Sequence, residues 1–119
     1  MEGEASKTAK FDLEERTLQL GRKIIRLAQK LPKNTVNRRL ADQVIRSGTS
    51  VGANYREANE TETKKDFKHR IMICRKEAKE TNYWLKLATE ANPEFAKEIG
   101  VLLDETMQLV KIFAAIGKK

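Results

Sequence analysis

The sequence is poor in the residues that form metal sites, disulfides and membrane anchors. It has one cysteine, Cys74, and one histidine, His69, so it offers neither an intrachain disulfide nor a recognisable metal-ligand set. No apolar run reaches the roughly 18 residues of a transmembrane helix, and the first residues lack the apolar segment of a signal peptide. We therefore expect a cytoplasmic protein without a cofactor, a metal or a membrane-associated segment.

Aromatic residues and proline are also scarce. Aromatic side chains make up 6% of the sequence and hydrophobic residues 39%, which indicates an aliphatic core. Pro32 and Pro93 are the only prolines, and they separate long stretches with helical periodicity. No stretch shows the alternation of a strand. The length of 119 residues fits one domain, which we predict to be all-α.

Basic residues, in contrast, are abundant and unevenly distributed. The formal net charge is +7. Between Arg16 and Arg46 the sequence has nine basic residues and a single acidic one, Asp42, whereas the part from Glu90 onwards is close to neutral. Such a surface attracts phosphates or acidic proteins, and it says nothing about the fold.

The periodicity predicts an antiparallel up-down four-helix bundle with short connections. We expect a disordered tail over residues 1–11 and the bundle over residues 12–117. The predicted helices cover residues 13–31, 35–58, 61–91 and 93–116.

Local signals support these boundaries. Asp12 and Glu15 form a capping box for the first helix, and Pro32 ends it. Asn34 or Thr35 caps the second helix. The run Asn92-Pro93-Glu94 starts the fourth helix, with Asn92 as its cap.

The third and fourth helices are predicted to bury more than one apolar edge. The main stripe of the third helix is Phe67, Ile71, Cys74, Ala78, Thr81, Leu85 and Ala88, and its second edge is Met72, Trp84, Leu87 and Ala91. The fourth helix presents Phe95, Ile99, Leu102, Leu103, Met107, Leu109, Val110, Phe113 and Ile116. This is more apolar surface than a lone bundle needs, which favours self-association.

The stretch 46–58, with the sequence RSGTSVGANYREA, is rich in small residues and contains two glycines four positions apart. A phosphate-binding loop is one interpretation, but its lysine and hydroxyl residue are missing, since Gly52 is followed by Ala53 and Asn54. An irregular linker is a second interpretation. It conflicts with helical spacing along Leu40, Val44, Gly48, Val51 and Tyr55.

A packing helix is the third interpretation, and we favour it. Each glycine inside a helix costs about 1 kcal/mol relative to alanine, so Gly48 and Gly52 suggest close approach by another helix. Glu77, Glu80 and Trp84 share one face of the third helix, and we expect one of the two carboxylates to accept hydrogen bonds across a helix interface. The candidate donors are Ser50, Asn54 or an arginine. The predicted packing motif comprises Ser47, Gly48, Ser50, Gly52, Asn54, Glu77, Glu80 and Trp84.

No residue has the sequence context of a catalytic group. His69 lies between Lys68 and Arg70, which is typical of a solvated surface residue, and Cys74 lies on the apolar stripe. Ser47 and Ser50 have no neighbouring histidine to act as a base. The helix carboxylates lack the Glu-x-x-His pairs of bundle metal sites. We predict no catalytic, cofactor-binding or metal-binding residue.

Two segments resemble one bacterial protein family. The stretch 46–58 is similar to the small-residue motif of the four-helix bundle proteins named after the intervening sequences of 23S ribosomal RNA genes. Asp66-Phe67 and the stretch 76–85, with the sequence KEAKETNYWL, resemble the second motif of that family. The resemblance covers nearly the whole chain after the tail, in the same order and spacing.

The resemblance implies a ring-shaped homopentamer of antiparallel bundles around a central channel. A related branch is the accessory protein of diversity-generating retroelements, a basic pentameric barrel that binds a reverse transcriptase and nucleic acid. This chain contains nothing that matches a reverse transcriptase, so that role is not carried over. The family implies no catalytic residues and no cellular role.

We predict from these features a non-enzymatic, oligomeric scaffold whose basic surface binds RNA or DNA. The candidate contacts are Arg22, Lys23, Arg26, Arg38, Arg39 and Arg46. One alternative is a purely structural or assembly protein that binds a protein partner and whose lysines keep it in solution. An enzyme with its site between subunits is the third class.

Overall fold

The chain folds into a four-helix bundle, as the sequence predicts. The structure is a computed structural model that describes the backbone from residue 2 and the side chains from residue 12 onwards. Its helices are α1 (Glu2–Lys30), α2 (Thr35–Asn59), α3 (Lys64–Ala91) and α4 (Ala96–Lys118), and a 3-10 turn (Pro93–Phe95) precedes α4. The described residues include no strand.

The first helix begins earlier than predicted. We predicted a disordered tail over residues 1–11. Met1 lies outside the described residues, and α1 already begins at Glu2. The capping box at Asp12 and Glu15 is therefore wrong, because both residues lie inside α1. The preceding sequence is rich in alanine, glutamate and lysine, which favour helix, and it has no proline to interrupt one.

The connections follow the capping rules at two of three helix starts. The Asn34 side chain accepts a hydrogen bond from the backbone N–H of Asn37 at 2.8 Å, which caps α2. The Thr63 hydroxyl accepts one from Asp66 at 3.1 Å and caps α3. Asn92 does not cap the last helix, because its side chain is engaged elsewhere. Short turns thus place neighbouring helices antiparallel.

One continuous hydrophobic core runs through the bundle. Its largest fully buried side chains are Leu20, Ile24 and Leu27 of α1, Val44 and Val51 of α2, Ile71 and Leu85 of α3, and Ile99, Leu109 and Phe113 of α4. The ring centres of Tyr55 and Phe113 lie 5.9 Å apart in the core. Burial of such apolar surface is the main favourable term in folding.

Several apolar residues of α3 and α4 that were predicted to be buried are exposed. Met72, Leu87 and Ala91 of α3 are exposed, so Trp84 is the one residue of the predicted second edge that packs against the core. On α4, Met107 is exposed and Thr106 is fully buried in its place. The Thr106 hydroxyl can be buried because it accepts a hydrogen bond from Asn82 at 2.9 Å and donates one to the Leu103 carbonyl at 3.0 Å.

The two glycines of the small-residue stretch lie where α2 meets α1. A Cβ added at Gly52 would lie 3.1 Å from the Thr17 hydroxyl and 3.3 Å from its Cβ. A Cβ added at Gly48 would collide with the Ile24 side chain. On the opposite flank of α2, the Thr81 hydroxyl of α3 donates to the Ser47 hydroxyl at 3.0 Å. The small residues therefore allow close contact on both sides of α2.

A buried pair of amides joins the two connections at one end of the bundle. The Asn37 amide nitrogen donates to the Asn92 oxygen at 2.8 Å, and the Asn92 nitrogen donates back to the Asn37 oxygen at 2.8 Å. The remaining amide hydrogens bond to the carbonyls of Pro32 and Ala88. Both side chains are buried, and each amide has its partners.

Leucine at Gly48 or Gly52 is expected to destabilise the bundle by about 1–3 kcal/mol, because the larger side chain overpacks the contact with α1. Thermal melts followed by circular dichroism measure the change. Gly100→Ala is the matched control: Gly100 has open space around it, so alanine should stabilise by up to about 1 kcal/mol. An unchanged or raised midpoint in the leucine variants would contradict the close contact.

Asn92→Ala is expected to cost about 1–3 kcal/mol of unfolding free energy, because it leaves the buried Asn37 amide without its partner. Urea unfolding of Asn37→Ala, Asn92→Ala and the double variant gives the coupling energy of the pair. Asn59→Ala is the control, since Asn59 bonds to Glu14 in a part-buried position that water can reach. Additive losses in the double variant would show that the two amides act independently.

Candidate nucleic-acid interface

The predicted basic residues of α1 lie on its outward side and on both of its flanks. Arg22, Lys23 and Arg26 are all exposed. Arg22 lines a groove between α1 and α2, beside Ile25 and Arg56. Lys23 and Arg26 line the seam between α1 and α4. The side chains therefore surround the outward surface of α1 and do not form a single cluster.

The basic residues of α2 extend this surface toward the first connection. Arg38 and Arg39 are exposed, and Arg38 lines the same α1–α2 groove nearer to Pro32. Ile25 lies in both halves of the groove, and Ala41 and Ile45 line its floor with it at the Pro32 end. Five of the six predicted contacts, Arg22, Lys23, Arg26, Arg38 and Arg39, form no ion pair with any residue from 12 to 119.

Arg46, the sixth predicted contact, is engaged by α3. Its guanidinium pairs with Glu77, at 3.3 Å, and with Glu80. Glu80 also accepts a hydrogen bond from the Trp84 indole nitrogen at 3.0 Å. Two carboxylates therefore surround one guanidinium, so Arg46 contributes little to an outward positive field.

These contacts identify the donor that the carboxylates of α3 use. Of the three candidates, the arginine is the one that reaches Glu77 and Glu80. The Ser50 hydroxyl donates instead to the carbonyl of Arg46 at 2.6 Å, and the Asn54 amide donates to that of Ser50 at 2.9 Å. Both side chains donate within α2, as short polar side chains often do in helices. The Asn54 oxygen also accepts a hydrogen bond from Arg70 of α3 at 3.3 Å.

The remaining ion pairs lie at the seams between helices. Arg16 binds Glu105 through two hydrogen bonds of 2.7 and 2.8 Å, and this bonding raises the pKa of Arg16 above its usual value. Lys30 pairs with Glu98 at 2.7 Å. Both pairs join α1 to α4. Arg56 and Glu14 approach to 3.6 Å across the α1–α2 contact.

The outward side of α3 carries a second set of basic residues that the sequence interpretation did not single out. The set comprises Lys65, Lys68, Lys76, Lys79 and Lys86, at spacings that place them on one face of a helix. No member forms an ion pair with a residue between 12 and 119. Their spacing was visible in the sequence, but the acidic residues Glu77 and Glu80 between them disguised it.

The described part of the chain offers little for acid–base or metal chemistry. Cys74 is buried on the inner side of α3, and burial raises the pKa of its thiol to about 12, so the reactive thiolate is scarce near neutral pH. His69 is exposed on the outward side of the same helix. Residues 12–119 bring together no three side chains that could hold a metal ion. None of the described helices is long and apolar enough to cross a membrane.

Comparisons with known proteins connect this fold to a family. A family model described as 23S rRNA-intervening sequence protein matches residues 9–115. A crystal structure from Bacteroides thetaiotaomicron, of a protein with unknown function from the S23 ribosomal protein family, is similar with a TM-score of 0.79 and 27% identity, over 90% of this chain and 99% of that chain. A comparison with curated proteins found no match.

The extent of these matches identifies the family. The family model covers most of α1, both sequence motifs and nearly all of α4. The similar crystal structure is aligned over almost its whole length. The resemblance carried by the two motifs is thereby confirmed, and the chain belongs to the 23S rRNA-intervening sequence protein family.

Proposed function

We propose that this chain is a non-enzymatic, oligomeric helical scaffold whose basic surface binds nucleic acid. The observation that carries the proposal is the set of exposed basic residues on α1 and α2 that have no acidic partner between residues 12 and 119. This set comprises Arg22, Lys23, Arg26, Arg38 and Arg39. Exposed basic side chains without acidic partners attract a nucleic acid, and each phosphate that they neutralise releases cations condensed on the nucleic-acid backbone.

Such a surface recognises the backbone of a nucleic acid and not its sequence. Arginine and lysine side chains neutralise phosphates, and each contact releases counterions, so affinity falls as salt rises. The family description refers to 23S rRNA, which makes RNA the first ligand to test and DNA the second. A single, buried cysteine suits a reducing cytoplasm, where we expect the protein to act.

Exposed apolar side chains support the oligomeric part of the proposal. Leu18 and Ile25 are exposed in the α1–α2 groove, and Val101 and Met107 are exposed on α4. Surfaces of this kind suit contacts with further copies of the chain. The family resemblance provides the number, five, and a ring would repeat the basic surface around its rim so that the charges add to one field.

A scaffold that binds only a protein partner is the alternative function. It is favoured by one observation, the apolar floor of the α1–α2 groove, where Ala28, Ala41 and Ile45 lie beneath the basic rim. An acidic amphipathic helix would match such a surface in shape and charge. In that case the basic residues attract the protein partner, and nucleic acid is not a ligand of this surface.

The oligomer is expected to be a homopentamer, with a mass about five times the 13.6 kDa of one chain. Light scattering on a sizing column measures this mass directly. Ile25→Glu, at the centre of the groove, should reduce the mass if the groove is an interface, because it places a charge against an apolar surface. A wild-type protein that elutes as a monomer at micromolar concentration would contradict the assembly.

Binding to nucleic acid is expected to be weak and sensitive to salt. Fluorescence anisotropy with labelled RNA, repeated at several salt concentrations, should give a log K against log salt slope of about −0.7 per phosphate contact on single strands. Replacing Arg22, Arg26, Arg38 and Arg39 by glutamine should flatten this slope and leave the helical content unchanged.

A charge-matched variant separates a local effect from a change in net charge. Glutamine at Lys97, Lys111, Lys118 and Lys119 removes the same number of charges from exposed positions on or just after α4. We expect this variant to bind more tightly than the arginine variant. No binding by the wild type at about 50 mM salt would favour the protein-binding alternative, and equal binding by both variants would exclude the surface of α1 and α2 as the site.

A further inference from the structure

Tyr83 is an exposed aromatic side chain with no packing partner on its outer side. It lies on the outward side of α3 with 54% of its surface accessible. Its ring meets Trp84 in an edge-to-face arrangement, with ring centres 5.1 Å apart and an angle of 73°. Its hydroxyl forms no hydrogen bond with any side chain or backbone group of the described residues. Tyr83 therefore presents an exposed planar ring, which is suited to stacking with another planar group.

Lysines flank this ring along the helix. Lys79 lies four positions before Tyr83 and Lys86 three positions after it, so both are neighbours on the same face. Continuing toward the start of α3, Lys76, Met72, Lys68 and Lys65 follow at spacings of three or four residues. Met72 is 65% exposed within this row. We call the row Lys65, Lys68, Met72, Lys76, Lys79, Tyr83 and Lys86 the α3 stripe.

The positive charge of the α3 stripe is not balanced by the acidic residues of its own helix. Glu77 and Glu80 turn toward α2, where they bind Arg46. Asp66 lies near the start of α3, where its backbone N–H bonds to the Thr63 cap, and Glu90 lies beyond the last lysine. The stripe spans about 30 Å, at 1.5 Å per helical residue. Four of its five lysines are exposed, and Lys68 is half-buried.

We infer that the α3 stripe is a binding surface for single-stranded nucleic acid, with phosphates on the lysines and one base stacked on Tyr83. The inference rests on the proposed function, because it takes nucleic acid as the partner. It adds a second surface, on a different helix, and a mode of contact that involves a base. Positive side chains that follow a backbone, combined with an aromatic ring, are the two components of single-strand binding sites.

The geometry favours a single strand over a duplex. Tyr83 can stack only on a base with a free face, and the bases of a duplex already stack on each other. An anionic lipid surface would bind the lysines, but it has no base that could stack on Tyr83. An acidic peptide would likewise be indifferent to the presence of bases. These two partners are therefore distinguished from a nucleic acid by the test below.

Tyr83→Leu is the decisive variant, and Tyr83→Phe is its control. Leucine removes the ring and keeps an apolar side chain, whereas phenylalanine keeps the ring and removes the hydroxyl. Anisotropy with a short labelled single strand should show binding weakened by about fivefold or more in Tyr83→Leu, and wild-type binding in Tyr83→Phe. Circular dichroism checks that both variants keep their helical content, which an exposed position should preserve.

An abasic strand of the same length tests the stacking step from the side of the ligand. It keeps the phosphates and lacks the bases, so the wild type should bind it about as weakly as Tyr83→Leu binds the normal strand. Trp84, the only tryptophan of the chain, supplies a local signal. A base on Tyr83 lies beside the indole, so its fluorescence should change with the normal strand and not with the abasic one.

The outcomes separate this inference from the proposed function. If the normal strand binds with equal affinity to wild type and Tyr83→Leu, and Trp84 fluorescence does not change, the α3 stripe is not the site and the surface of α1 and α2 remains. If wild type binds the abasic strand or anionic vesicles as tightly as the normal strand, stacking is refuted. If the arginine-to-glutamine variant keeps wild-type binding that Tyr83→Leu loses, the α3 stripe alone is the interface.

Discussion

The close contact between α1 and α2 depends on Gly48 and Gly52, two residues without side chains. Because Ile24 and Thr17 occupy the space where a Cβ would lie, the two helices approach more closely than ordinary side chains allow. This proximity leaves a shallow groove on the outer surface, whose rim is basic. On the other flank of α2, Ser47 permits the same closeness to Thr81 of α3.

Ion pairs in this bundle lie mainly at the boundaries between helices. Glu105 and Glu98 hold α4 to α1, and Glu77 and Glu80 hold α3 to α2 through Arg46. Acidic side chains are thereby drawn into the seams, while lysines and arginines without partners face outward. Pairs at such sites contribute modestly to stability. Each pair neutralises a cation together with its acidic partner, so the outward positive field comes from the basic residues that have no partner.

The sequence predicted the four helices and most of the core, because helical periodicity and the two prolines are local signals. It did not predict features that depend on distant partners. Asn92 has the sequence of a helix cap, but its amide pairs with Asn37, which is 55 positions away. Thr106, and not Met107, is in phase with the buried residues Leu102 and Leu109 of α4, and the hydrogen bond from Asn82 satisfies its hydroxyl there. The packing role of the glycines could be predicted, whereas their partners on α1 could not.

The weak association of α1 with α4 has a consequence for the cooperativity of the bundle. Helix α1 packs closely on α2 but contacts α4 only sparsely, chiefly through two ion pairs. Opening this seam therefore exposes less buried surface than separating α2 from α3. We expect α1 to detach as a unit more readily than α2 or α3, and its amides to exchange with solvent ahead of those of α3. Such a hinged element at the short turn around Pro32 is also suited to exchange between neighbouring copies of the chain.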